Sequence, residues 1–321
     1  MRSYFDLDPE LAYLNSGTHS IVPRTVLEAV ITELKAYERN PTHTLFQASG
    51  RLWRIQKRLA RFFGSRPQDL FLRTNVTEPL NAAILGFALP PKSEILLSDL
   101  EYGAVVNLCR FRAERDGLSL RTFRIGHVSP VQDLLSALKP ETSMVVLSHV
   151  MTGNGLVLPI RELARETRKR GVLLVVDGAH APGALPIDFS QLEDVDAYGG
   201  NLHKWMMGPK GTAFGWVPER HQASLPSPAA GWTTFESFYP FSEFGEGSRF
   251  AARFLMQGCQ DFAPFFALEA VLDFWDKLGP DAIRARIRGL QAEVERQVEK
   301  QLGWERLSPP TGPSLGPLVS Y

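Results

Sequence analysis

Short β-branched runs alternate with helical stretches through the middle of this 321-residue chain, and that alternation limits the fold more than any single residue does. The runs are EILLSD (94–99), SMVVLSH (143–149), GVLLVVD (171–177) and GTAFGWV (211–217). Between and around them lie TEPLNAAILGFAL (77–89), EYGAVVNLCRFRAERDG (101–117), PVQDLLSALK (130–139) and PIRELARETRKRG (159–171). Strands separated by helices of this length need crossover connections, which predicts an α/β fold with a mostly parallel sheet. Strands that are apolar from end to end are covered on both faces, so helices flank the sheet. In such sheets ligands bind beyond the carboxyl ends of the strands. The polar residues Ser98 to Tyr102, Ser148 to Thr152 and Asp177 to His180 sit just there.

Thirty-five basic and thirty-five acidic residues cancel, so no overall field favours nucleic acid or an anionic membrane. The two cysteines, Cys109 and Cys259, give neither a disulfide framework nor a metal spacing, which fits a reducing, cytoplasmic compartment. No apolar run approaches the roughly 20 residues of a membrane span. Residues 281–302 read as an amphipathic helix, and LGPLVSY at the end reads as a strand that is just beginning, so a smaller domain is expected to be incomplete here.

Chemistry concentrates in two segments, GVLLVVDGAHAPG (171–183) and DAYGGNLHKWMMGPKG (196–211). Lys204 stands between His203 and an apolar Trp205-Met206-Met207 run, where desolvation lowers an amine's pKa and frees it to attack an aldehyde. Asp177 ends a strand; such a residue caps the next turn, or keeps a pyridine nitrogen protonated. Lysine and aspartate together suit pyridoxal phosphate (PLP) as cofactor. His180 is either a satisfied loop histidine or a contact to the ring oxygen or to Asp177. Thr77 opens a helix after a short strand, either as an ordinary N-cap or as a phosphate site built on free N–H groups. Tyr102 follows a strand end and is either a core ring or one that stacks on a flat cofactor. No G-x-G-x-x-G follows a first strand, which argues against a nicotinamide-binding oxidoreductase.

Taken together, YLNSGTHSIVPRTVLEAV, NVTEPLN, SDLEYGA, SHVMTGNGLVLPI, VDGAHAPG and GNLHKWMMGPKG resemble the class V aminotransferase family, PLP enzymes of fold type I, over residues 10–275. The wording is most similar to the isopenicillin N epimerase-like and cysteine desulfurase-like branch. The resemblance implies a large PLP-binding domain over 16–262 and a smaller α+β domain over 263–321, with residues 1–15 packing near the latter. It implies that Lys204 carries the cofactor in Schiff-base linkage and shuttles the Cα proton, and that Asp177 pairs with the ring nitrogen. Tyr102 would stack on the ring where desulfurases place histidine. Val76 and Thr77 would hold the phosphate with Asn201 and His203. His180 and Thr152 would lie near the ring oxygen, where desulfurases have glutamine and asparagine. Cys259 and Gln260 replace the threonine and arginine of a Gly-Thr-Arg-Asp run that reaches across a dimer, and neither cysteine matches a desulfurase nucleophile. The resemblance therefore points to a homodimer acting at the Cα of an amino acid, epimerase-like first and aminotransferase or C–S lyase second. A non-catalytic PLP-fold protein is the reading from another class.

Overall fold

The computed structural model describes residues 2–231, 233–234, 248–255 and 258–321. Helices α1 (Arg24–Arg39) and α2 (Pro41–Phe62) lead into β1 (Leu70–Arg73), α3 (Thr77–Gly86), β2 (Glu94–Ser98), α4 (Gly103–Asp116) and β3 (Ser119–Phe123). There follow α5 (Pro130–Ala137), β4 (Thr142–Ser148), α6 (Ile160–Arg168), β5 (Leu173–Asp177), β6 (Ala197–Asn201) and β7 (Ala213–Trp216). Beyond them come α7 (Glu219–Gln222), α8 (Arg249–Leu255), α9 (Ala263–Phe266), α10 (Leu268–Leu278) and α11 (Pro280–Leu302). The sheet runs β1-β7-β6-β5-β4-β2-β3. Its five central and outer strands from β6 to β3 are parallel, and β7 is antiparallel to both neighbours.

The expected strands all form, because their Val, Ile and Leu side chains bury against helices on both faces: β2 is buried at every position and β4 at six of seven. Two strands carry no such signal. β3 is an edge strand with only Phe123 fully buried, and β6 is AYGGN. In β6 the glycines are steric requirements. A Cβ on Gly199 would lie 2.9 Å from Val76 Cγ2, so its absence lets the start of α3 rest on the strand. A Cβ on Gly200 would meet Phe214 and Pro182.

Strand order reverses between β2 and β4. β2 connects outward to β3, while β4 connects the other way to β5, which opens a crevice at their carboxyl ends. Residues 314–320 add no regular strand. Leu315 instead makes an isolated bridge to Leu156, Gly316 N donates to Gly155 O (2.8 Å), and Ser320 Oγ donates to Gly153 O (2.8 Å). The terminal segment is thereby pinned on the loop that carries Thr152. The segment 231–257, rich in Phe and Tyr, falls largely outside the described residues. No helix among the described residues is long and apolar enough to cross a membrane.

Candidate active site

Parallel strands bring Ser98, Ser148, Asp177 and Asn201 to one edge of the sheet, with Ser148 in register with Asp177 and Asp177 with Gly199. Asp177 is buried, and its Oδ1 accepts the Ala179 N–H at 2.9 Å, its single hydrogen bond among the described residues. Burial pushes its carboxyl up from the ordinary value, against the Ala179 N–H and the Lys204 charge. Lys204 follows β6 in a loop. Burial lowers its amine pKa, and the Asp177 charge opposes that.

His180 lies against that amine. The Trp205 indole N–H, which can only donate, reaches His180 Nδ1 at 3.4 Å. Burial holds the imidazole neutral, with its pKa down to about 3. A neutral ring whose Nδ1 accepts carries its proton on Nε2, and Nε2 lies 3.3 Å from Lys204 Nζ. The imidazole thus sits against the amine, whose pKa burial lowers, and the two groups form one buried pair. The sequence left open a bond from His180 to Asp177; the imidazole meets Lys204 and Trp205 instead.

At the start of α3, Val76 N donates to Asn201 Oδ1 (3.0 Å), while Thr77 N and Oγ1 both donate to Asn75 Oδ1 (3.0 and 3.1 Å). No side chain caps the helix from Val76. His203 is buried, its Nδ1 donates to Thr212 O (3.1 Å), and its pKa is lowered to about 4 by burial. Tyr102 immediately precedes α4 and is 53% exposed, too open for a core ring. Thr152 is half-buried in the turn after β4. Val76 and Asn201 are thus bonded to each other and His180 lies against Lys204, while Thr77 bonds Asn75 and His203 meets Thr212 and His19.

Several neighbours were not legible as site residues. His19 stands edge-on to His203 with ring centroids 5.3 Å apart, and Ser20 N donates to His203 O. Lys210, next to the site, donates to Ser20 O (2.8 Å), so it ties the N-terminal segment down. Tyr198 lies beneath Gly178 and hydrogen-bonds His149 Nδ1 at 2.9 Å. Glu101, inside the quoted SDLEYGA, receives both Ser98 and Ser148. Only its place beside a strand end hinted at this.

These residues fit PLP. A buried carboxylate with one hydrogen bond calls for a cation, which a protonated ring nitrogen supplies. A half-buried amine whose pKa burial lowers is readied to add to an aldehyde. A helix start aimed at the same edge suits a phosphate.

The Aminotransferase class-V family profile matches residues 12–320, and the chain belongs to that family. It is 35% identical to isopenicillin N epimerase of Streptomyces clavuligerus over 326 residues, 98% of this chain and 81% of the relative. It is 25% identical to a probable cysteine desulfurase of Xylella fastidiosa (strain 9a5c), covering 97% and 75%. Among solved structures, the complex of the cystine C–S lyase C-DES with its reaction product cysteine persulfide superposes with a TM-score of 0.86 at 26% identity, covering 97% of this chain and 84% of that one. The protein is accordingly a PLP-dependent enzyme of fold type I.

Proposed function

We propose that the enzyme acts at the Cα of an amino acid or amino-acid-like amine, with epimerisation as its reaction. The observation that carries this reading is the buried Lys204 amine set against His180 at 3.3 Å, in a chain 35% identical to isopenicillin N epimerase across nearly its whole length. Bound PLP supplies an electron sink that acidifies the Cα–H of an attached amine. The protein supplies the rest. Asp177 keeps a negative charge against the ring nitrogen. The α3 start with Asn201, and His203 beside it, holds the phosphate. Tyr102 would cover one face of the ring, and His180 and Thr152 would hold its oxygen. Lys204 Nζ would take the proton from Cα, and inversion would follow where a donor on the opposite face supplies a proton to Cα in its place.

Desulfurase chemistry is less well supported in this chain. Of its two thiols, Cys109 is buried in α4 and pushed up to about 12 by burial, with the Glu101 charge adding to it. Such a thiol is inert at neutral pH.

We also propose a homodimer. Leu27, Ile31 and Leu34 recur on one face of α1 at helical spacing and remain 40–44% exposed, an apolar stripe that a second copy would cover. Sedimentation showing a fully active monomer would contradict this.

The reaction is tested by incubating the holoenzyme with an amino-acid panel in heavy water. Epimerisation gives deuterium at Cα with inverted configuration. A keto acid with pyridoxamine phosphate indicates transamination instead, and pyruvate with sulfide or ammonia indicates lyase chemistry. No exchange with any substrate would favour a non-catalytic role.

A further inference from the structure

The crevice where strand order reverses contains a carboxyl group that the chemistry above does not use. Glu101 is half-buried as a residue, with its carboxyl end turned inward between β2 and β4. Ser98 Oγ, at the end of β2, donates to Oε1 at 2.6 Å. Ser148, at the end of β4, donates twice: its Oγ to Oε2 at 2.6 Å and its backbone N–H to Oε2 at 3.0 Å and Oε1 at 3.2 Å. One side chain therefore bridges the ends of two strands whose chains depart in opposite directions.

What it bridges matters. Ser148 is the register partner of Asp177, so the clamp stands one strand away from the buried carboxylate. Tyr102 is the next residue after Glu101 and immediately precedes α4, with more than half of its surface exposed. The loop from Asp99 to Tyr102 is otherwise tied down through Asp99, whose backbone N–H reaches Phe123 O and whose Oδ1 accepts the Ile125 N–H, both toward the outer edge of the sheet. Toward the site it is tied by Glu101 and, more weakly, by the Leu100 N–H to Ser98 Oγ (3.3 Å). Burial raises the carboxyl to about 7, with the Asp177 charge adding to the rise, which agrees with a group held close to that carboxylate.

We propose that Glu101 is a positioning residue: by clamping Ser98 and Ser148 it holds Tyr102 over the PLP ring. The proposal rests on the reading of Tyr102 as the ring's cover. The clamp joins two strand ends through several hydrogen bonds, and losing it is expected to weaken PLP binding roughly ten-fold.

The test uses apoprotein titrated with PLP, followed by dialysis for Kd and by the visible circular dichroism of the bound cofactor, which senses how the ring is held. Glu101→Ala is expected to raise Kd about ten-fold and to reduce the visible band. Glu101→Gln is expected to restore both largely, because the Ser98 hydroxyl rotates to accept from the new amide N–H while Ser148 still donates to the amide oxygen. Wild-type Kd and band in Glu101→Ala would overturn the proposal. If that variant does not fold, the Ser98→Ala/Ser148→Ala pair, which keeps the carboxylate and removes two donors, must show the same loss of band; an unchanged band overturns the proposal. Tyr102→Ala separates the two ideas. If it leaves the band unchanged, the reading of Tyr102 fails. If it alters the band and Glu101→Ala does not, only the clamp fails.

Discussion

Gly178 follows Asp177, and the fold leaves no room for a side chain there. A methyl group at Gly178 would land on the Cε1, Cζ and hydroxyl of Tyr198. That tyrosine is 1% exposed and cannot slide away. Phe189 meets its ring edge-on at 5.2 Å, His149 does so at 5.9 Å, and its hydroxyl is bonded to His149 Nδ1 at 2.9 Å. Gly178→Ala therefore forces overpacking, about 1–3 kcal/mol. It also displaces a buried hydrogen bond, about 0.5–1.5 kcal/mol. The expected sum is about 2–4 kcal/mol, or a melting-temperature drop of roughly 4–8 °C for a chain this long. Differential scanning fluorimetry of the apoprotein reads it, with Gly50→Ala as the internal control. Gly50 lies inside α2 with nothing within 4 Å of its Cβ position, so that change should be neutral or stabilising by up to ~1 kcal/mol. If Gly178→Ala melts within 1 °C of wild type, Tyr198 does not support the Asp177 strand end as described.

Acid should destabilise the apoprotein from below pH 6.5. His180, His149 and His203 are held neutral by burial with pKa values near 3, 4 and 4, so unfolding takes up three protons as pH falls from 6.5 toward those values. Their stabilisation is present above 6.5 and lost below it. Glu101 works the other way: raised to about 7, it keeps a proton that the unfolded chain has released, so its contribution falls as pH rises from about 4.5 through 7. Urea titrations between pH 4 and 8 should therefore steepen on the acid side in Glu101→Gln; a slope unchanged by that substitution would contradict the assignment. Trp275→Phe removes the indole that donates to Met206 O at 2.9 Å and anchors the loop after Lys204, costing about 1–3 kcal/mol in urea denaturation. Thiol titration of the native protein should find Cys259 reactive and Cys109 silent, with both reacting after denaturation. Fast labelling of Cys109 in the native state would be inconsistent with its burial.

What the sequence disclosed depended on which residues carry a periodic or chemical signal of their own. β2, β4 and β5 are continuous aliphatic runs, and their carboxyl ends marked Ser98, Ser148 and Asp177 correctly as neighbours on one sheet edge. β6 gave no strand signal because its glycines have low β propensity; they are required by Val76, Phe214 and Pro182, which lie far away in sequence. The edge strand β3 has a mostly polar pattern that resembles a loop. Within the site, Lys204 and Asp177 were legible from burial and spacing. The pairing of His180 with Lys204 and Trp205 was not, since it depends on a tautomer that only geometry fixes. Glu101, His19 and Tyr198 join the site through contacts that cross between elements, for which a single chain pattern carries no mark.

The most direct test of the account is the site of covalent attachment. Holoenzyme reduced with borohydride should lose its visible absorbance and retain a phosphopyridoxyl group. Proteolysis and mass spectrometry should then place that group on Lys204, and Lys204→Ala should neither absorb in the visible nor take the label. Label on Lys210 or another lysine, or a visible chromophore surviving in Lys204→Ala, would contradict the assignment of Lys204 as the residue from which the chemistry starts.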